Sequence, residues 1–318
     1  MKTYQANILL ILAAMFWGMG FVATDVTNKY ISPVQMQFMR FGIASIICMV
    51  LFRNKWLKVS KKSIIYGVLI GVAFFFAMTA QNYGLAQTTV PKNAFITITN
   101  VIWVPLIGWV LFKKKPPLHI LKGVIVMLIG FFFLVFDIDI FNLSNSLTSL
   151  SSQLNLTFGD FLTLICAFGF AAQIILSDIF VKDEDPITLL IFQLLTSTVL
   201  SFIFSLIVDG NPLNIPMENL QPTILPIVFM AIFPTIISFG AILVAQQYVS
   251  ASNTAIICST ESLFATFFAI VLGSTPFSSG LIIGGIIITI GIIWAETGFN
   301  FDFSKNRDPE DDVNKSSI

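Results

Sequence analysis

Glu261 is the only acidic residue between Ala251 and Leu272, in the stretch CSTESLFATFF at 258–268. It lies about ten residues into an apolar run, roughly 15 Å deep at the α-helical rise. Arg40 lies about seven residues inside a second such run that starts at Pro33, roughly 10 Å below the surface on the same ruler. A charge at such depth costs several kcal/mol unless it faces a partner or water, which makes each residue a candidate functional group. Three chemistries fit the two. Arg40 can receive a carboxylate and Glu261 an ammonium group, which suits a zwitterion. The two can instead pair with each other, or with other polar side chains, and hold helices together. In a mixed case the pair opens for substrate or for protons, with Glu261 as the exchanging carboxyl.

Other polar residues fall at helical spacing. Ser250, Thr254, Cys258, Glu261 and Ala265 share one stripe, and Thr89, Asn93, Thr97 and Asn100 share another. Both stripes are expected to face a shared cavity, with Trp17 and Trp103 as candidates for its apolar wall. Helix or lipid packing accounts more readily for Phe74–Phe76 and for aromatic residues generally in a chain with 33 phenylalanines. Asp25 and Asp178 read as boundary or capping residues. Gln81, Asn82, Tyr83, Gln246, Gln247 and Tyr248 read as interfacial anchors in preference to gates. The single histidine, His119, falls at a loop edge. Cys48, Cys166 and Cys258 all sit in apolar runs and read as small hydrophobes. An enzyme would need a convergent acid, base and nucleophile or metal ligands, which one histidine and scattered carboxylates do not assemble. No cofactor, metal or nucleic acid is called for.

The elements that position these residues are membrane helices. Of 318 residues, 56% are hydrophobic and 11% charged, and the mean hydropathy is +0.89, outside the range of a soluble domain. On a ruler of about 20 residues per crossing, the segments are 6–27, 33–52, 64–84, 91–112, 118–136, 158–180, 187–208, 222–247, 252–272 and 279–296. The first segment reads as a membrane helix and not as a cleaved signal. Arg53, Lys55, Lys58, Lys61 and Lys62 follow segment two, and Lys113, Lys114, Lys115 and Lys122 surround the loop after segment four. The opposite face keeps only Lys29 and Lys92. The positive-inside rule then puts both termini in the cytoplasm of a multi-pass cell-membrane protein.

The chain also resembles itself. At an offset of 153, Asn7 meets Asp160, Asp25 meets Asp178, Pro33 meets Pro186 and Arg40 meets Gln193. At 161, AQTTVPKNAFI (86–96) meets QYVSASNTAII (247–257), and Gly123 and Gly130 meet Gly284 and Gly291. One insertion around 209–221 reconciles the offsets. Five helices is an odd number, so the second half enters from the opposite face. The expected architecture is all-α: a first repeat at 1–136, an extracytoplasmic loop at 137–157, a second repeat at 158–296 and a disordered cytoplasmic tail at 297–318. Inverted repeats of this kind exchange conformations to open a central site to one side and then the other.

FWGMGFVATD in helix one, YGLAQTTVPKNAFI between helices three and four, AQQYVSASNTAIICSTESLFA across helices eight and nine, and GGIIITIGIIW near the end resemble the drug/metabolite transporter superfamily, specifically its EamA-type members. The resemblance covers about 6–296 and implies a ten-helix transporter of two EamA repeats, moving amino acids or other small metabolites, often outward. Two departures stand out. Glu261-Ser262 replaces a frequent Glu-Pro, which should leave helix nine less kinked, and Gly273-Ser274-Thr275 stands where the family often has a second glutamate. The expected function is export of amino acids or their derivatives by alternating access. A nucleotide-sugar or sugar-phosphate exchanger is the alternative within the superfamily, and a membrane-embedded enzyme the alternative outside it. A passive facilitator also fits. Expected partners are the bilayer, a small-molecule substrate and, for a coupled carrier, the proton; monomer and homodimer both remain open.

Overall fold

The computed structural model describes residues 1–57, 59–113, 115–136, 157–273 and 279–298. The expected loop at 137–157 except Thr157, the tail beyond 298 and the Ser274-Thr275 departure lie outside the described residues. Within them the regular structure is entirely helical. The ten segments are α1 (Thr3–Thr27), α2 (Pro33–Leu51), α3 (Lys61–Leu85), α4 (Val90–Ile98 and Asn100–Phe112), α5 (Leu118–Phe136), α6 (Phe158–Phe180), α7 (Pro186–Val208), α8 (Met217–Met230, Ala231–Ile237 and Ser238–Ala245), α9 (Ala251–Cys258 and Glu261–Val271) and α10 (Ser279–Thr297). Eight of them are long and apolar enough to cross a membrane, and α5 and α10 are further apolar helices. A single turn, Arg53–Trp56, follows α2.

Helix starts follow from local chemistry, and they recur in the two halves. Ser32 caps α2 by accepting from the Gln35 N–H, with Pro33 at the first helical position. Asp185, at the offset of 153, caps α7 by accepting from Thr188, again with proline next. Proline is well placed there because its missing N–H would be unpaired anyway. Thr89 and Ser250, related by the offset of 161, each precede the first residue of α4 and α9. Asp185 also pairs with Lys55 at 2.7 Å. Burial pushes its carboxyl upward, but the bonds from Lys55 and Thr188 outweigh that and hold it below the usual range. Lys62–Asp183 at 2.9 Å and a Ser63–Glu184 hydrogen bond join the same end of the bundle.

Packing forms two apolar cores. One gathers Leu10, Phe41, Phe74, Leu190, Phe239 and neighbours from α1, α2, α3, α6, α7 and α8. The other joins α4, α5, α6, α9 and α10 around Val104, Met127, Ile175, Ile256 and Ile288. Phe74 stacks within the first core against Phe41 and Phe239, while Phe76 faces outward, as packing predicts for that run. Backbones approach closely where glycines allow it. A Cβ on Gly123 would lie 2.6 Å from the Ala295 nitrogen, and one on Gly130 2.6 Å from that of Ile288. These contacts lock α5 to α10, and small residues at an interface are what permits such an approach in a membrane.

Helices α4 and α9 depart from the expected continuous segments: each is interrupted near its middle, at Thr99 and at Ser259–Thr260. The turn tightens to i→i−3 bonding, with Thr99 N–H to Ile96 O at 3.1 Å, Thr260 N–H to Ile257 O at 3.1 Å and Leu263 N–H to Thr260 O at 3.0 Å. Hydroxyls take up carbonyls at the interruption, Thr99 to Ile96 O at 2.7 Å and Thr260 to Ile257 O at 2.8 Å. Proline is therefore not required to interrupt α9. Ser/Thr back-bonding supplies the alternative. In α8, Ala231–Ile237 winds as a π-helix around Pro234, whose missing N–H removes one ladder bond.

Replacing Gly123 by Leu should cost about 1–3 kcal/mol or more through overpacking, read as a lower unfolding midpoint in detergent. Gly108→Ala, where an added Cβ meets nothing within 4 Å, should leave the midpoint unchanged or slightly raised. Equal behaviour of the two variants would contradict the α5–α10 packing described.

Candidate functional site

The interruptions deliver Asn100 and Glu261 as the first residues of the second halves of α4 and α9. Both line a narrow central cavity of ≈ 50 Å3. Arg40 from α2 lines it as well, together with Trp17 and Thr24 from α1, Gln81 and Asn82 from α3, and Gln173 from α6. An apolar side is supplied by Phe21, Met78, Phe170 and Phe239. Discontinuous helices that bring polar groups to the middle of a bundle are the recurring construction of transporter binding sites.

Arg40 is 4% exposed and Glu261 7% exposed. Among the described residues no ion pair joins them, so the pairing reading is not what the structure adopts. Arg40 Nε donates to Thr235 Oγ1 at 2.7 Å, and Thr235 in turn donates to Met230 O at 2.7 Å. The guanidinium carbon lies 5.6 Å from the Phe41 ring centroid. The Glu261 carboxyl has no hydrogen-bond partner among the described residues, and Asn100 Oδ1 has none either. Each ionisable side chain thus lines the cavity with no opposite partner among the described residues.

The π-helical turn of α8 closes another side. Trp17 Nε1 donates to Pro234 O at 2.9 Å, and Ser238 Oγ to Phe233 O at 3.0 Å, so carbonyls there meet side-chain donors. Trp17 is therefore a cavity residue, which the packing expectation for aromatics did not favour. Gln81 and Asn82 are likewise buried on the cavity and not interfacial: Gln81 donates to Thr97 at 3.2 Å and Asn82 to Gln37 at 2.9 Å. Gly18 lets α1 reach α9 beside the acid, since a Cβ there would lie 2.6 Å from the Ala265 nitrogen.

The remaining expected residues lie off the cavity lining. Asn93 donates to Thr163 at 2.8 Å between α4 and α6. Thr97 is buried behind Gln81, and Thr254 bonds Ser250 O at 2.9 Å within its own helix. Trp103 packs edge-on against Phe168, centroids 5.8 Å apart. Asn93, Thr97 and Thr254 precede the interruptions on the first halves of α4 and α9, and the cavity takes from these helices only the residues at the interruptions, Asn100, Cys258, Ser259 and Glu261. Asp25 pairs with Lys29 at 3.4 Å at a helix end, and Asp178 with Lys182 at 3.1 Å, as boundary roles predict. Across α4 and α6, Lys92 and Asp160 pair at 2.7 Å. Their counterparts at the repeat offsets, Asn253 and Asn7, are neutral.

Thr235→Val should destabilise the fold by about 1–3 kcal/mol, because it strands both Arg40 Nε and Met230 O. Thr254→Val, which breaks only a bond inside one helical turn, should cost less than about 1 kcal/mol. Detergent unfolding of the two variants checks the ordering, and a larger loss at Thr254 would contradict it.

The model of the EamA-like transporter family matches residues 5–136 and again 157–297. An uncharacterized transporter of Archaeoglobus fulgidus is 26% identical over 292 residues, covering 92% of this chain and 86% of that protein. The uncharacterized transporter YyaM of Bacillus subtilis is 22% identical over 302 residues, covering 93% and 94%. A solved crystal structure shares the fold with a TM-score of 0.72 at 14% identity, covering 93% of this chain and 97% of that one. With two family matches spanning both halves and a polar cavity between them, this multi-pass membrane protein belongs to the EamA-like transporter family.

Proposed function

We propose that the chain is an alternating-access exporter of amino acids or their derivatives, holding a zwitterion between Arg40 and Glu261. The observation that carries the reading is that two opposite charges line one cavity and are not paired with each other. Arg40 presents a fixed fork of donors suited to a carboxylate. Glu261 and the free Asn100 Oδ1 present acceptors suited to an ammonium group. The aromatic side built by Trp17, Phe21, Phe170 and Phe239 favours an apolar side chain on the substrate.

A phosphate-bearing substrate would call for several cations, and Arg40 is the only one among the lining residues. That weighs against the sugar-phosphate alternative. Glu261 is also the only acid among those residues, so any proton that accompanies the substrate is assigned to it. The lysine-bearing loops after α2 and α4 are taken as cytoplasmic by the positive-inside rule, with both termini on that side. The cavity then extends from mid-membrane toward the outer ends of α1 and α3, where Thr24, Asn82 and Leu85 lie.

Purified protein in liposomes loaded with labelled amino acids, purines and sugars, with and without a proton gradient, tests the reading. Glu261→Gln should insert normally yet lower amino-acid flux roughly tenfold or more, the scale of one lost charge-assisted contact. Normal flux with unchanged dependence on the proton gradient would sink the assignment. Arg40→Gln should weaken carboxylated substrates more than simple amines, and equal losses for both would count against a zwitterion.

A further inference from the structure

The cavity is lopsided with respect to the repeat. At offsets of 153 and 161, five of its lining residues have counterparts that also line it: Trp17 with Phe170, Gly20 with Gln173, Phe21 with Ile174, Met78 with Phe239, and Asn100 with Glu261. These ten residues surround the centre of the pseudo-symmetry. Thr24, Arg40, Gln81, Asn82 and Leu85 also line the cavity, whereas their counterparts Ser177, Gln193, Ile242, Leu243 and Gln246 do not; from the second half only Pro234, Cys258 and Ser259 line it without their counterparts Ala73, Thr97 and Ile98.

Three of these five second-half counterparts, Ser177, Gln193 and Gln246, are polar and shut away, at 0%, 0% and 1% exposure. Neither Nε2 nor Oε1 of Gln193 has a hydrogen-bond partner among the described residues, and Gln246 Oε1 has none. Ser177 accepts from Gln173 at 3.2 Å and Gln246 donates to Ile174 O at 3.0 Å, but a buried amide left unmet is costly, so Gln193 above all is out of place in a permanently closed wall. Polar side chains at these three positions are well placed in a wall that opens to water. The seam that covers Gln193 is built to close tightly: a Cβ on Gly71 of α3 would lie 2.8 Å from Gln193 O, and one on Gly67 2.4 Å from Phe192 Cβ. The corresponding positions of α8 are Val228 and Ile232, so the glycine-lined approach belongs to the α3–α7 side alone.

We propose that Ser177, Gln193 and Gln246 form the polar wall of the cavity when it opens to the opposite side, with Gln193 standing where Arg40 stands in this structure. The assignment rests on the alternating-access reading above. It adds a chemical asymmetry to that reading. A substrate carboxylate meets a guanidinium from the α2 side but a neutral amide from the α7 side, and a charge-assisted bond is the stronger of the two. The site therefore changes its grip on the carboxylate as it changes sides, while Asn100 and Glu261, near the centre, stay in place.

Accessibility of single cysteines tests this in a background with Cys48, Cys166 and Cys258 replaced by Ala, using a membrane-impermeant maleimide applied from either face of vesicles. Gln193→Cys and Gln246→Cys should react at least about tenfold faster from the face that bears Lys55 and Lys62, and Thr24→Cys faster from the other. Ser177→Cys, a near-isosteric change, provides the same reading should the glutamine variants misfold. Flux of labelled amino acids in the same vesicles separates the two ideas. Reactivity as expected without amino-acid flux supports the wall and removes the substrate assignment. Intact flux with Gln193→Cys and Ser177→Cys unreactive from both faces, or reactive from the same face as Thr24→Cys, overturns the wall.

Discussion

Two unlike charges held inside a membrane without touching each other are the condition that the rest of this structure serves. Arg40 and Glu261 are each more than nine-tenths buried, and neither has a counter-charge among the described residues. Isolated in hydrocarbon, either would cost several kcal/mol, so both must face a polar cavity. That requirement accounts for the interruptions of α4 and α9, which bring Asn100 and Glu261 to the cavity. It accounts as well for the hydroxyls that take up the loosened carbonyls, at Thr99, Thr260 and Thr235. A π-helical turn around Pro234 gives Trp17 an acceptor and Arg40 a fixed neighbour in Thr235.

On the alternating-access reading proposed above, the repeat explains why such a cavity would change sides. Each half keeps one charge and offers a neutral amide at the related position: Gln193 for Arg40 and Asn100 for Glu261. A symmetric pair of guanidinium groups would hold a carboxylate equally from either side. The asymmetry of Arg40 and Gln193 does not, and it coincides with an asymmetry of packing, since the glycine-lined seam covers Gln193 and not Arg40. Elsewhere the halves behave alike, with Ser32 and Asp185 starting α2 and α7 by the same capping chemistry.

Much of the fold was legible because membrane helices are specified by length and hydropathy, and their starts by caps such as Ser32-Pro33 and Asp185-Pro186. The charged pair was legible too, since an acid or a base in an apolar run is conspicuous. What the pattern of residues concealed was the aim of the side chains. Stripes drawn at helical spacing included Asn93, Thr97 and Thr254, whereas the cavity meets α4 and α9 only around their interruptions, at Asn100, Cys258, Ser259 and Glu261. A signal for those turns existed in the density of hydroxyls, Thr97 with Thr99, and Ser259, Thr260 and Ser262, although no proline or glycine marks either interruption. Gln81 and Asn82 were misread for a different reason: amides near a helix end resemble interfacial anchors until tertiary contacts with Thr97 and Gln37 are known.

Calorimetric binding to the purified protein of an amino acid with an apolar side chain, compared with its N-acetyl form and its methyl ester, addresses the two-charge cavity directly. The zwitterion should bind, and blocking either its amine or its carboxylate should weaken binding roughly tenfold or more, as expected for one lost charge-assisted contact. Binding of either blocked form as tightly as the zwitterion would contradict a site in which Arg40 and Glu261 each hold one end of the substrate.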